Sequence, residues 1–183
     1  MNSPSPASPL SSVSAHFSNQ RDALLACAAL GPVADLACGR GRHAMAAAGW
    51  GLPVLAVDRN PAFLSELNGR ARVSGLPLAC IRADLEAPSA TLPLQYGACG
   101  AVLIFRFLFR PLVPSIVRLL APGGLLVYET FTLAQAEREG GPNNPAFMLR
   151  PGEMAELFPD LLTLSCQEDP VGACARLVAR KPA

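Results

Sequence analysis

The chain has 183 residues, 51% of them hydrophobic and 16% charged, with a formal net charge of +1. That length and apolar content suit one folded domain with a full core and exclude a wholly disordered chain. The near-neutral balance argues against an electrostatic grip on nucleic acid.

Residues 1–17 are Ser/Pro-rich and read as a flexible tail. They lack the basic and apolar regions of a secretory signal. Ser18-Asn19-Gln20 caps a helix expected to run to about Leu30, where Gly31-Pro32 stops it. A rhythm then begins. Val33–Ala37 reads as a strand, Arg42–Ala48 as a helix, and Pro53–Val57 as a second strand. Asn60 caps and Pro61 starts a helix to Val73, closed by Gly75. Leu78–Arg82 and Gly100–Phe105 are strands three and four. A helix over Pro111–Leu120, a Pro122-Gly123-Gly124 turn and a strand over Leu125–Glu129 follow. The strands are continuous apolar runs, as a parallel sheet covered on both faces requires.

The rhythm breaks after Glu129. Leu133–Arg150 is a long polar connection, expected to act as a lid. Pro151–Leu157 is a short helix. Leu161–Gln167 and Cys174–Arg180 form a hairpin across the Asp169–Gly172 turn. The expected fold is α/β, a doubly wound Rossmann-like seven-stranded sheet, mostly parallel, with a C-terminal antiparallel β-hairpin. Residues 18–183 are expected to form a single domain. No apolar run is long enough to span a membrane, because Arg106 breaks the run Ala101–Leu108. The six cysteines form no C-x-x-C pair, so no metal site is expected and a reducing cytoplasm is the expected setting.

Open α/β sheets bind ligands beyond the carboxyl ends of their strands. Asp35 and the Ala37-Cys38-Gly39-Arg40-Gly41 turn stand at the first strand end, Asp58 at the second and Asp84 at the third. Gly39 and Gly41 allow a sharp turn and close backbone approach. A carboxylate at Asp58 accepts from ribose hydroxyls, and Asp84 accepts from an exocyclic amine. Each feature alone has a plainer explanation, since a tight turn needs G-x-G and Asp58 suits a helix cap. Their shared position at three consecutive strand ends favours a ligand site.

With these residues in place, the chain resembles class I S-adenosylmethionine-dependent methyltransferases. Asp35-Leu36-Ala37-Cys38-Gly39-Arg40-Gly41 matches the family's D-L-G-C-G-x-G. Val54–Asp58, Ala83-Asp84-Leu85 and Leu120-Ala-Pro-Gly-Gly-Leu-Leu126 match its later motifs. The resemblance implies S-adenosylmethionine as cofactor. It places Asp58 on the ribose, Arg59 and Asn60 beside the adenine, and Asp84 and Leu85 on its edge. Gly39 and Gly41 would pass the methionine part, with Asp35 on its ammonium. Phe105 and Arg106 would lie near the sulfonium. Ala37 replaces the usual first glycine and fits only if its φ is negative. The rival cofactor is NAD, because Gly39-x-Gly41-x-x-Ala44 and Asp58 also fit a dinucleotide fingerprint.

The acceptor is harder to read. Asn144-Pro145-Ala146-Phe147 resembles an amine-methylation motif but follows strand five rather than strand four. Arg106 and Arg110 suit an anionic acceptor, and Arg150 is a third candidate. Tyr128-Glu129-Thr130-Phe131 and the stretch Asn144–Glu153 are similar to small tellurite-resistance-type methyltransferases. That resemblance implies a small soft or anionic acceptor and no nucleic-acid or membrane partner. The oligomeric state is left open. Cys38 is expected to pack, and His43 to lie on a helix surface. A non-catalytic cofactor-binding module serving a protein partner is the alternative from a different class.

Overall fold

The computed structural model describes residues 12–87, 92–137, 144–169, 171 and 173–183. Its chain order is α1 (Ala15–Ser18), α2 (Arg21–Ala26), β1 (Val33–Leu36), α3 (Arg42–Gly49), β2 (Val54–Asp58) and α4 (Pro61–Val73). β3 (Leu78–Arg82), β4 (Cys99–Phe105), α5 (Val113–Leu119) and β5 (Leu120–Phe131) follow. The chain closes with α6 (Glu153–Glu156), β6 (Leu162–Asp169) and β7 (Cys174–Arg180). Short 3-10 turns occur at Ala28–Leu30, Arg110–Leu112, Leu133–Glu137 and Pro145–Phe147.

The seven strands form one sheet in the order β3-β2-β1-β4-β5-β7-β6. β1 to β5 pair in parallel, and β7 runs antiparallel to both β5 and β6. This is the expected Rossmann-like sheet with its antiparallel hairpin. β4 is buried along its whole length because both of its faces are covered. Val102 and Ile104 pack with Ile116 and Leu119 of α5, while Ala101, Leu103 and Phe105 pack with Ala44, Ala47 and Ala48 of α3. β6 is the mostly exposed edge.

Local sequence explains the sharpest boundary. The Asn60 side chain accepts from the backbone N–H groups of Ala62 (3.0 Å) and Phe63 (3.3 Å), and Pro61 occupies the first turn of α4. Leu64, Leu67 and Ala71 recur at helical spacing and are buried.

The N-terminal expectation needs correction. Residues 1–11 lie outside the described residues, but residues 12–17 do not form a loose tail. Phe17 has no exposed surface and stacks on Trp50 at 4.7 Å. Ser14 caps α1 by accepting from the His16 N–H. The helix expected to start near Ser18 divides instead into α1, α2 and a 3-10 turn. A single aromatic anchor organises this segment, where composition shows only serine and proline.

The expected lid is also narrower than 133–150. Thr132 and Leu149 form an isolated bridge, and Met148 and Leu149 are fully buried. Residues 138–143 lie outside the described residues. No helix among the described residues is long and apolar enough to cross a membrane.

Candidate functional site

The strand order reverses between β1 and β4, which opens a crevice at their carboxyl ends. Two of the three non-glycine residues with positive φ among the described residues stand there, Ala37 after β1 (φ 55°) and Arg106 after β4 (φ 58°). Ala37 therefore adopts the left-handed conformation that the sequence reading held it could not fit. Such a backbone costs roughly 1–2 kcal/mol for a residue carrying a Cβ. Ala37→Gly is expected to stabilise the fold by about 1 kcal/mol, read as a higher midpoint in thermal denaturation. An unchanged or lower midpoint would show that the Ala37 methyl group earns its place by packing.

Ala37, Asp58, Arg59, Asp84 and Leu85 converge on one cavity of about 200 Å³. Glu86 and Phe107 also line it, and sequence reasoning missed both. A signal for them existed, since Glu86 follows Asp84 by two residues and Phe107 lies just past β4. Arg59 and Glu86 form an ion pair of 2.8 Å across adjacent strand ends.

Asp58 is tied into the glycine turn. Its Oδ2 accepts from the Gly39 N–H at 2.8 Å, and its Oδ1 accepts from the Asn60 N–H at 2.8 Å. A carboxylate has about four lone-pair positions, so each oxygen keeps capacity for a ligand hydroxyl. A Cβ on Gly39 would meet nothing within 4 Å, which leaves its backbone open to a ligand. Gly41 differs, because a Cβ there would run into Leu67 of α4 at 2.4 Å. Its bareness serves helix packing as well as the turn. The Asp84 Oδ1 accepts from the Glu86 N–H at 3.0 Å, which shapes the turn after β3.

Asp35 is buried beneath α3, and its Oδ2 has no hydrogen-bond partner among the described residues. Burial pushes its pKa up to about 7, against the Ala44 N–H and the Arg42 charge, which favour the anion. A buried carboxylate oxygen without a donor is the feature an incoming ammonium group would satisfy.

Several expected contacts resolve differently. Asn60 does not line the cavity, because its side chain is committed to capping α4. Phe105 is buried in an aromatic cluster rather than lining the cavity, with its ring 3.8 Å from His43 and 6.2 Å from Phe17. His43 is 3% exposed and not on a helix surface. Its Nε2 accepts from the Ser14 N–H at 3.2 Å. Burial, with Arg42 and Arg106 nearby, pushes its pKa down to about 3, so it stays neutral. Burial raises the Cys38 thiol far above its usual range, with Asp35 and Asp58 adding to the effect, which suits packing rather than nucleophilic attack.

Arg110 and Arg150 are corrected too. Arg110 forms a fork on Glu153, with Nε 2.6 Å from Oε1 and a terminal nitrogen 2.9 Å from Oε2. It also donates to the Ala146 and Met148 carbonyls. Arg150 reaches the same carboxylate through its backbone N–H at 2.8 Å and its Nε at 3.4 Å. The Arg110 hydrogen bond is the main cause that holds the Glu153 pKa down at about 2. These arginines pin the connection after β5 to α6 through Glu153. Asn144 caps its own 3-10 turn, its side chain accepting from the Ala146 N–H at 3.0 Å. Arg106 lines a second cavity, with Glu129, Gln167 and Arg176.

Residues 33–124 match the family described as Methyltransferase domain, which is half of the chain. No curated protein matches. Among solved structures, the chain is similar to a SAM-dependent methyltransferase from Aquifex aeolicus, with 16% identity, TM-score 0.64, and 87% of this chain and 88% of that one covered. TehB from Haemophilus influenzae gives 22% identity and TM-score 0.64, over 87% of this chain and 61% of that one. Geranyl diphosphate C-methyltransferase from Streptomyces coelicolor A3(2), solved with S-adenosyl-L-homocysteine, gives 16% identity and TM-score 0.66, over 91% and 80%. The nicotinamide alternative is thereby set aside. The chain belongs to the methyltransferase domain family, and its cofactor is S-adenosylmethionine.

Proposed function

We propose that this protein transfers the cofactor's methyl group in line to a small soft or anionic acceptor that enters beside Arg106. The observation that carries the reading is the single cavity lined from three strand ends by Ala37, Asp58, Arg59, Asp84 and Leu85. Asp58 would hold the ribose hydroxyls, Asp84 and Leu85 the adenine edge, and Asp35 the ammonium. The bound cofactor supplies an electrophilic methyl group on a sulfonium. The chain's own task is then to align acceptor and methyl and to exclude water. The buried Phe17, His43 and Phe105 cluster supplies a dry wall behind Arg106. No general base is required where the acceptor is already anionic.

The tellurite-resistance-type specificity remains part of this reading. Thiols and chalcogen oxyanions therefore belong in the acceptor panel beside organic acids. Free thiols at all six cysteines support a cytoplasmic setting.

Titration calorimetry with S-adenosylmethionine and with NAD, followed by measurement of S-adenosylhomocysteine release over that panel, tests the reading. Heat with the former alone, and product with at least one acceptor, is the expected result. Tight cofactor binding with no turnover on any acceptor would favour a non-catalytic module. Absence of heat with S-adenosylmethionine would overturn the cofactor assignment.

A further inference from the structure

The cavity read above as the adenosine site takes its walls from the ends of β1, β2 and β3, and Phe107 alone of its described lining comes from beyond β4. Phe107 is also the one aromatic residue in that lining. The cavity has two halves. Asp58, Arg59, Asp84 and Glu86 are polar, and suit hydroxyls and the edge of a base. Ala37, Ala83, Leu85 and Phe107 are apolar and belong to, or pack against, one core cluster. The flat face of a purine needs the second half, and an aromatic ring is its best partner there.

The direction in which the chain leaves β4 is fixed from β5. Arg106 has φ 58°, and its N–H donates to the Glu129 carbonyl at 2.8 Å. One residue later, the Tyr128 hydroxyl donates to the Phe107 carbonyl at 2.8 Å. Tyr128 is the register partner of Ile104, so its phenol reaches forward past the end of β4. The backbone torsions of Arg106 and Phe107 thus lie between two anchored groups, both held by the same strand. A left-handed backbone at a residue with a Cβ persists only where its surroundings hold it. Release of one anchor lets Arg106 relax and swings Phe107 with it.

Tyr128 is built for this single contact. It is 2% exposed, and its ring lies edge-on to Phe158 at 5.8 Å. Burial pushes the phenol above its usual range, so the hydroxyl keeps its proton and acts as a donor. A hydroxyl buried to this degree needs a partner, and the Phe107 carbonyl supplies it. No residue of β5 is among the described residues that line the cavity, so the lining by itself gives this strand no part in cofactor binding.

We propose that Tyr128 is a positioning residue for the cofactor, whose hydroxyl holds the chain after β4 so that Phe107 presents its ring to one face of the adenine. This rests on the adenosine reading of the cavity given above.

The test is a double-variant cycle. Calorimetric affinity for S-adenosylmethionine and a melting curve are measured for the unaltered protein, Tyr128→Phe, Phe107→Ala and the two combined. Phe107→Ala is expected to weaken binding by about 10-fold or more, the contribution of one aromatic ring stacked on a base. Phe107→Tyr keeps the ring and should stay within about twofold of the unaltered protein. Tyr128→Phe is expected to weaken binding by about 3- to 10-fold, the loss of one hydrogen bond, and to lower the melting midpoint. In the Phe107→Ala background that loss of affinity is expected to vanish while the lower midpoint persists. The hydroxyl still meets the backbone carbonyl there, but no ring is left to place. A tyrosine that served stability alone would lower the midpoint in both backgrounds and leave affinity unmoved in both. Unchanged affinity in Tyr128→Phe, unchanged affinity in Phe107→Ala, or losses that multiply in the combined variant would overturn the proposal. Absence of heat in the unaltered protein would instead sink the adenosine reading beneath it.

Discussion

Asp58→Ala is expected to weaken S-adenosylmethionine binding by about 100-fold or more, the loss of roughly two charge-assisted hydrogen bonds at 1.4 kcal/mol per tenfold. The carboxylate has two tasks, which makes the effect larger than a lost ligand contact. It would accept from the ribose, and it already accepts from the Gly39 and Asn60 N–H groups at 2.8 Å each. Removing it frees the glycine turn from the head of α4, so cofactor contacts made by the turn weaken as well. Calorimetry gives the affinity directly. A melting curve separates this from unfolding, because a lower but still cooperative transition accompanies a local loss. Asp84→Ala should cost less, about tenfold, since Asp84 has one shaping contact in the turn after β3. Wild-type affinity in Asp58→Ala would remove the ribose from this position.

The second large effect concerns Asp35 and has a definite sign. Its carboxyl has a pKa of about 7 in the folded protein against an ordinary value of 3.8, with burial as the leading cause. Between those two values the folded state holds a proton that the unfolded state has released. Stability therefore falls as pH rises through that window and levels off above about pH 7. Arg42 and the Ala44 N–H favour the anion and Asp58 opposes it, while neutral His43 adds no charge. Asp35→Asn cannot ionise. It is expected to lose this slope and to exceed the wild type by a few kcal/mol at pH 8 without cofactor. Cofactor affinity should move the other way. It should rise from pH 6 to pH 8 in the wild type, as the carboxylate becomes available to an ammonium, and be weak and flat in Asp35→Asn. Denaturant melts and calorimetry at the two pH values check both halves. Parallel pH slopes in the two proteins would show that another group titrates.

What the sequence made legible follows from where the determining contacts lie along the chain. α4 was readable to the residue because Asn60, Pro61, the apolar spacing and Gly75 act locally. The strand ends were readable because Asp58 closes one apolar run, Asp84 follows another by two residues, and the glycine turn after Leu36 ends the first. His43 also carried a usable signal, since residue 43 shares a helix face with the buried Ala47. Other features depend on partners far away. Arg110 looked free for an acceptor until Glu153, distant in sequence, met its guanidinium. The ordered N-terminus hangs on Phe17 reaching Trp50 and His43. The left-handed backbone at Ala37 is set by the turn as a whole and leaves no mark in residue type. The second cavity needs register, because Glu129, Arg176 and Gln167 become neighbours only when β7 slots between β5 and β6.

That slotting has a kinetic meaning. β6 precedes β7 in the chain but lies outside it in the sheet, with β7 as its strand partner. Growth of the sheet on this side cannot follow chain order. β5 has an open edge until β7 arrives from beyond the connection after Phe131, alone or already paired with β6 as a hairpin. Long-range pairing of this kind slows folding, and an open strand edge invites association with other chains. Glu129 and Arg176 are cross-strand partners at that late junction. The β5–β7 pairing thus joins strands separated by the whole connection after Phe131, and it is the same pairing that brings Glu129 and Arg176 together.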